Sequence, residues 1–413
     1  MIAVNMDSFL NDFSDTYELI LATLTYVFYF WPILGLYLVW ETWLTYRRLI
    51  FINKLDWLLL EIKMPRIIDK PPQAMEVLLS IFNQARPGTF IERWWDGFLP
   101  AWFSLEIASF GGDVRFFIRT QPFLRQAIEA HIYSQFPDIE IKEAEDYTVN
   151  IPYNKTQTDW DLWGGTFQLT KDDHYPIKTY VDYGLDKSPK EEFKVDPLTP
   201  TLEVFGGIGP GEQIWSQILI KATGKRFKKE GSWFKKADWK DGAKKELAKL
   251  QKKDKPKEGE TINLSSLMPT IEDKVASEAI ERSLEKIAFD CGWRMLYLAP
   301  KDRFNKGVIA GMIGSTKQFG SQHLNGFKPL ETVGFLYPWQ DITGNRTKRQ
   351  KWRFFDAYRR RSYFFSPYSK DKKFILTTEE LATIYHFPGQ VATTPTLERI
   401  GSKRSEPPTN LPF

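Results

Sequence analysis

Residues that could do chemistry are spread along the chain, and their spacing decides what each can be. Gly206-Gly207-Ile208-Gly209-Pro210-Gly211 has the glycine density of a phosphate cradle. It follows an expected helix and precedes an expected strand, the reverse of the order that aims backbone N–H groups and a helix N-terminus at a pyrophosphate. A connecting turn is therefore expected there. A P-loop needs glycine, four residues, then Gly-Lys-Ser or Gly-Lys-Thr, so that amides, ammonium and hydroxyl meet one phosphate chain. Gly311, Gly314 and Lys317 miss that spacing, and Gly224-Lys225 runs into Arg226. His131, His174, His323 and His386 lie far apart, and none belongs to a His-Glu-x-x-His motif. His131, on an expected helix face, reads as a satisfied core residue. Cys291 is the only cysteine, which rules out an intramolecular disulfide and a multi-cysteine zinc site, and it reads as a small buried hydrophobe. Glu145 and Asp146 read as solvated charges, not as an acid/base pair. The expectation is a chain with no catalytic, cofactor or metal site of its own.

Binding chemistry is better represented. Residues 225–257 are dense in lysine with aromatics interleaved. Lys228, Lys229, Lys235 and Lys236 could track phosphates or an anionic leaflet while Trp233 and Trp239 stack on bases. The competing reading is a solvated helical excursion or flexible insertion. Residues 346–373 carry Trp352, Phe354, Phe355, Tyr358, Arg359, Arg360, Arg361, Tyr363, Phe364 and Phe365. So many rings need something to pack on, either the chain's own domain or a partner. Arg359, Arg360, Arg361 and Tyr363 are accordingly candidates for a partner-docking surface. A formal charge of +4 is too small to imply a nucleic-acid partner by itself.

These residues must be positioned by a chain of 413 residues, long enough for two domains and accessory segments. Residues 19–40 contain no charged side chain. At about 1.5 Å per residue they span roughly 33 Å, enough for a hydrocarbon core. Asp7, Asp12, Asp15 and Glu18 precede this stretch, and Arg47, Arg48 and Lys54 follow it. The positive-inside rule then puts the N-terminus outside the cell membrane and the C-terminal bulk in the cytoplasm. Tyr17, Tyr26, Tyr37, Trp40 and Trp43 include candidates for interfacial belts, Pro32 for a kink, and Glu41-Thr42-Trp43 does not resemble a cleavage site.

The expected fold class is α+β: a tail and anchor at 1–55, a ferredoxin-like domain at 56–150, and a second α+β domain of similar type at 151–330. The first follows a β-α-β-β-α-β order, with strands at 57–62, 102–110, 114–120 and 138–142 and helices beginning near Pro72 and Leu124. Gly111-Gly112-Asp113 is a hairpin signal. The second carries the lysine-rich insertion 223–262, a loop-rich stretch marked by Pro152, Gly164, Gly165, Pro176, Pro189 and Pro197, and ordered elements near 201–205, 213–221, 275–288, 294–298 and 304–319. Residues 331–413 hold the aromatic and basic segment, a short helix announced by the capping box Thr377-Thr378-Glu379-Glu380, and an extended arm from 390.

The C-terminal residues Phe374-Ile375-Leu376-Thr377-Thr378-Glu379-Glu380-Leu381-Ala382-Thr383-Ile384-Tyr385-His386-Phe387-Pro388-Gly389, with Pro395, Arg399, Ser402-Lys403 and Pro407-Pro408-Thr409-Asn410-Leu411-Pro412, carry a resemblance. They resemble the segment before the motor core in membrane-anchored, DNA-translocase-like ATPases of conjugation and type IV secretion, of the kind common in reduced-genome bacteria. Ser104-Leu105-Glu106-Ile107, Gly111-Gly112, Phe117-Ile118-Arg119-Thr120, Ile132-Tyr133-Ser134-Gln135-Phe136-Pro137 and Trp215-Ser216-Gln217-Ile218-Leu219-Ile220 are similar to the family's N-terminal domain. In that family the motor and its Walker motifs follow the Asn-Leu-Pro element, whereas this chain stops at Phe413. The resemblance thus implies the membrane-proximal half of a split machine. Its RecA-like ATPase would be a separate polypeptide docked through the arm, with Arg399, Pro407, Pro408, Asn410, Leu411 and Pro412 among the contacts, and a homo-oligomer is admitted. The expected function is a non-catalytic, single-pass membrane scaffold; the alternative is a membrane-tethered nucleic-acid-binding protein.

Overall fold

Good helix formers continue past the apolar stretch, so the N-terminal helix does not stop at Trp40. In the computed structural model, helix α1 runs Met6–Asn53 with Pro32 inside it. The residues described are 6–65, 70–153, 159–186, 195–224, 227–228, 236–252, 270–335, 337–369 and 372–389. Within α1, Thr16–Asn53 is long and apolar enough to cross a membrane, with mean hydropathy 1.8 in an 18-residue window none of which is buried. Residues 88–99 belong with α1 in one unit; residues 56–87 and those from 100 onward form the other.

The second unit is built on one sheet. Its elements are β1 (Leu58–Lys63), α2 (Gln73–Ser80), β2 (Trp102–Phe110), β3 (Asp113–Thr120), α3 (Arg125–Gln135), β4 (Glu140–Glu143), β5 (Trp160–Leu169), α4 (Thr199–Gly206) and β6 (Gln213–Ala222). A short pair, β7 (Phe227–Lys228) and β8 (Lys236–Ala237), precedes α5 (Trp239–Lys252) and α6 (Ile271–Glu285). Then come β9 (Ala288–Pro300), α7 (Lys306–Ser315), β10 (Phe327–Thr332), α8 (Asn345–Arg359), β11 (Phe374–Thr377) and α9 (Thr378–Ile384).

The sheet order is β10-β5-β9-β6-β2-β3-β1-β4, with β11 taking over the edge of β9 where β5 ends. Numbered within its own half, each side of the sheet reads fourth, first, third, second strand, and the paired strands run antiparallel. The halves meet through their equivalent strands, β2 and β6, in a continuous register from Trp102↔Lys221 to Phe110↔Gln213. The α+β class is the one expected from sequence. The boundary expected at 150, however, falls inside a single sheet to which both halves contribute.

Strand periodicity explains which face each residue takes. Phe103, Leu105 and Ile107 of β2, Ile214, Ile218 and Ile220 of β6, and Phe289, Trp293, Met295 and Tyr297 of β9 enter the larger core. There they join Met75 and Leu78 of α2, Ile128 and Ile132 of α3, Phe205 of α4 and Leu381 of α9. The opposite face carries Phe117, Trp215, Leu296 and Leu298, capped by Phe354, Phe355 and Tyr358 of α8. With both faces covered, β9 is almost uniformly buried, and it extends beyond the 294–298 expected from sequence at both ends.

Two elements read differently in sequence. The stretch holding Gly164 and Gly165 was expected as loop, yet both lie in β5. A Cβ on Gly164 would sit 2.7 Å from Leu296 and 2.9 Å from Phe354, so this glycine marks the close approach of α8 to the sheet. Helix α8 itself begins where Asp341 accepts the backbone N–H groups of Arg346 (3.1 Å) and Thr347 (2.7 Å). That carboxylate supplies the orphan-donor partner a helix start requires.

Candidate functional site

On the α8 face, three polar residues occupy one row across adjacent strands. Glu106 on β2 stands opposite Gln217 on β6, which stands opposite Arg294 on β9. All three are buried. A carboxylate in the middle of a sheet needs a charged partner and a full set of donors.

The chain after α8 supplies them. Arg361 adopts φ +50°, in the left-handed region that non-glycine residues rarely use. Its Nε donates to Glu106 Oε1 at 3.0 Å and its Nη2 to Oε2 at 3.2 Å. The same guanidinium donates to both oxygens of the half-buried Asp146, at 3.1 Å from Nη2 and more closely from Nη1, and Nη1 also reaches the Arg359 carbonyl at 2.9 Å. Glu106 further accepts from Ser104 Oγ at 2.6 Å, Tyr147 OH at 2.7 Å and Gln217 Nε2 at 2.8 Å. The hydroxyls of Tyr147 and Tyr358 are 2.8 Å apart. Arg294 Nη2 donates to the Ser362 carbonyl at 2.7 Å, tying the turn after α8 to β9.

Burial alone would raise the Glu106 carboxyl, but the Arg361 charge and the donors around it outweigh that and hold it below the ordinary carboxylate range. Asp146 is lowered for the same reasons, with Thr148 as a further donor. Burial works against the Arg361 cation too, yet Glu106 and Asp146 raise it well above the ordinary guanidinium value. Burial pushes Arg294 down to about 10, leaving it charged at neutral pH. A carboxylate saturated with donors and a cation saturated with acceptors are poor proton carriers. The arrangement is suited to locking the segment after α8 onto the join between the two halves.

A second polar set lies beside α9. Thr377 and Glu380 form the expected capping box, and Glu380 also accepts the Ile177 N–H at 2.9 Å. Burial pushes Glu380 up to about 7 against these donors. His386 Nε2 is 3.1 Å from both oxygens of Asp196, a pair 190 residues apart that sequence reading missed. Burial would lower His386, but the Asp196 charge raises it. A separate polar cleft of about 640 Å³ is lined in part by Lys171, Asp172, Glu272, Asp273, His323 and Lys328. Among the described residues, no group of three or more His, Cys, Asp or Glu could hold a metal ion.

Several expected sites land elsewhere. Arg361 and Tyr363 are each 1 % exposed, so they pack on the chain's own sheet and are removed from any docking surface. Arg359 and Arg360 remain partly exposed, both paired to Asp356 at 3.0 and 2.8 Å. Asp146, expected as a solvated charge, is instead a ligand of Arg361. Trp239 is buried with Ala243, Leu250, Ala276 and Ile280 and cannot stack on a base. Lys228 and Lys236 lie on β7 and β8, while Lys229, Trp233 and Lys235 fall outside the described residues. Arg399, Pro407, Pro408, Asn410, Leu411 and Pro412 fall outside them as well, as does the expected arm. Cys291 is fully buried, whereas His131, expected in the core, is partly exposed. The glycine run 206–211 connects α4 to β6.

A family model described as "Domain of unknown function (DUF8128)" matches residues 101–399. That span takes in every strand of the large sheet except β1, together with α8 and the Arg361 junction. No curated protein matches the chain.

Proposed function

The chain belongs to this family of unknown function, and we propose that it acts by binding, as a single-pass membrane scaffold that docks a secretion- or conjugation-type ATPase at the cytoplasmic membrane face. The observation that carries the reading is α1, whose apolar window is wholly unburied and is followed by Arg47 and Arg48. In this reading the N-terminus lies outside and the sheet unit inside. The junction supports a holding role: Arg361 and β11 fasten the C-terminal segment to the sheet, so the chain leaves Gly389 from a fixed point. Phe387 there packs on Phe136 at 5.1 Å between ring centroids and on Phe116 at 6.0 Å.

Cross-linking and mass spectrometry on native membranes test the docking. A Walker-motif ATPase recovered with the full chain and lost when residues 390–413 are deleted is the expected result. Equal recovery from the truncated protein rejects the arm as the docking element. The nucleic-acid alternative draws on the exposed Arg346, Lys348, Arg349 and Arg353 of α8. It predicts DNA retention that falls steeply with salt; no retention at low salt removes it.

A further inference from the structure

Residues 88–99 make a short turn alongside the C-terminal part of α1. Gly97 has φ +73°, and a Cβ there would lie 2.6 Å from the Arg47 carbonyl carbon, so the turn's backbone rests directly on the helix backbone. Arg47 Nε donates to the Trp95 carbonyl at 2.8 Å, and its Nη2 is 3.7 Å from Asp96. Ring contacts set the direction. Phe98 meets Phe51 at 5.5 Å, Trp95 meets Trp43 at 6.1 Å, and Trp94 stacks on Trp40 at 6.0 Å. The turn therefore climbs α1 toward the uncharged stretch 19–40, and Phe90 lies 6.1 Å from Trp94.

The exposure of these residues runs against what water favours. Phe90 is 70 %, Ile91 68 % and Trp95 61 % exposed, and Trp94 is 37 % exposed. Arg47 and Asp96 lie at the other end, nearer Phe51, while within 90–95 Glu92 folds back to accept the Thr89 N–H at 2.7 Å and Arg93 is exposed. Four large apolar side chains continuous with the uncharged stretch of α1, interleaved with an exposed Arg93 whose long stem can carry its charge to the headgroups, match the profile of the interfacial layer, where amphipathic rings settle at headgroup depth.

We infer that residues 90–95 are a second membrane contact, a wedge whose Phe90, Ile91, Trp94 and Trp95 enter the interfacial layer of the leaflet on the Arg47 and Arg48 side. The inference rests on the reading that α1 spans the bilayer. The wedge would give the anchor a fixed rotation and depth, because a lone helix can turn about its axis whereas a helix with a lateral foot cannot.

Spin labels on the full chain in phosphatidylcholine/phosphatidylglycerol nanodiscs test it. Single-cysteine variants Leu34→Cys, Phe90→Cys, Trp95→Cys and Lys306→Cys are made in a Cys291→Ala background. Oxygen and a water-soluble nickel chelate then compete for collisions with each label. Oxygen dominating at Leu34→Cys, Phe90→Cys and Trp95→Cys, with nickel dominating at Lys306→Cys, is the expected result. Oxygen dominating at Leu34→Cys but nickel at Phe90→Cys and Trp95→Cys overturns the wedge and leaves the span intact. Nickel dominating at Leu34→Cys overturns both.

Discussion

Aromatic side chains live in two different surroundings in this protein. In the α1 unit, Phe28, Tyr29, Phe30, Trp31 and Trp95 are each more than 60 % exposed, whereas Phe167, Trp215, Tyr297 and Tyr358 of the sheet unit are fully buried. The buried rings satisfy their polar ends: Trp293 Nε1 donates to Ser216 Oγ at 2.9 Å and Tyr297 OH to Glu212 at 2.9 Å. The exposed rings Phe28, Tyr29, Phe30 and Trp31 of α1 lie within residues 19–40, which contain no charged side chain. The aromatic content of 15 % is thus a sum over two populations. Composition alone could not separate them; burial does.

The contrast can be broken most forcefully at Arg361. Arg361→Ala leaves Glu106 ionised and buried without its cation, which costs about 3–5 kcal/mol. Denaturant unfolding of the detergent-solubilised chain should show that loss in the sheet unit, while Trp31→Ala leaves the midpoint where it was. Equal midpoints for wild type and Arg361→Ala would show that the junction does not hold the sheet unit together.

Glu380 gives the next largest effect, visible through pH. Its carboxyl loses a proton at an ordinary value of 4.5 in the unfolded chain and at about 7 in the fold. The folded state therefore binds more protons between these values, and stability falls as pH rises across them by on the order of 3 kcal/mol. Glu380→Gln should remove that slope. His386, raised above its ordinary 6.5 by Asp196, adds a slope of the same sign at higher pH: its stabilisation is complete below 6.5 and is lost as pH rises through the folded value. His386→Gln should flatten only that part.

Packing at the junction comes third. A Cβ on Gly292 would lie 2.2 Å from the Tyr363 ring, so Gly292→Ala should cost about 1–3 kcal/mol in the same unfolding assay. The smallest effect is expected at Arg125, whose ion pairs with Glu129 and Glu143 lie at the surface. Arg125→Ala should leave the midpoint unchanged.

Local signals made much of this fold legible. The span of β2, the glycine turn into β3 and the capping box at Thr377 were all readable because each rests on a few neighbouring residues. Features decided by distant pairing were not. Helix α8 covers β5 and β9 and so permits Gly164 inside a strand, which turn chemistry alone reads as loop. Arg361 and Glu106 are 255 residues apart, and nothing in either neighbourhood names the other. One clue was present: Glu106 is a lone carboxylate between Leu105 and Ile107 in a strand with apolar residues on both sides, and such a residue calls for a cation from somewhere in the chain.

The attachment of β11 has a mechanical consequence. A tug on the polypeptide beyond Gly389 is delivered through α9 into β11, whose four register pairs run along β9. Because β9 is also laced to β5 by eight register pairs and to β6 by ten, tension arriving there is divided between two long ladders and does not peel away a peripheral strand. The fold is thus reinforced at the point where the chain leaves its last described element.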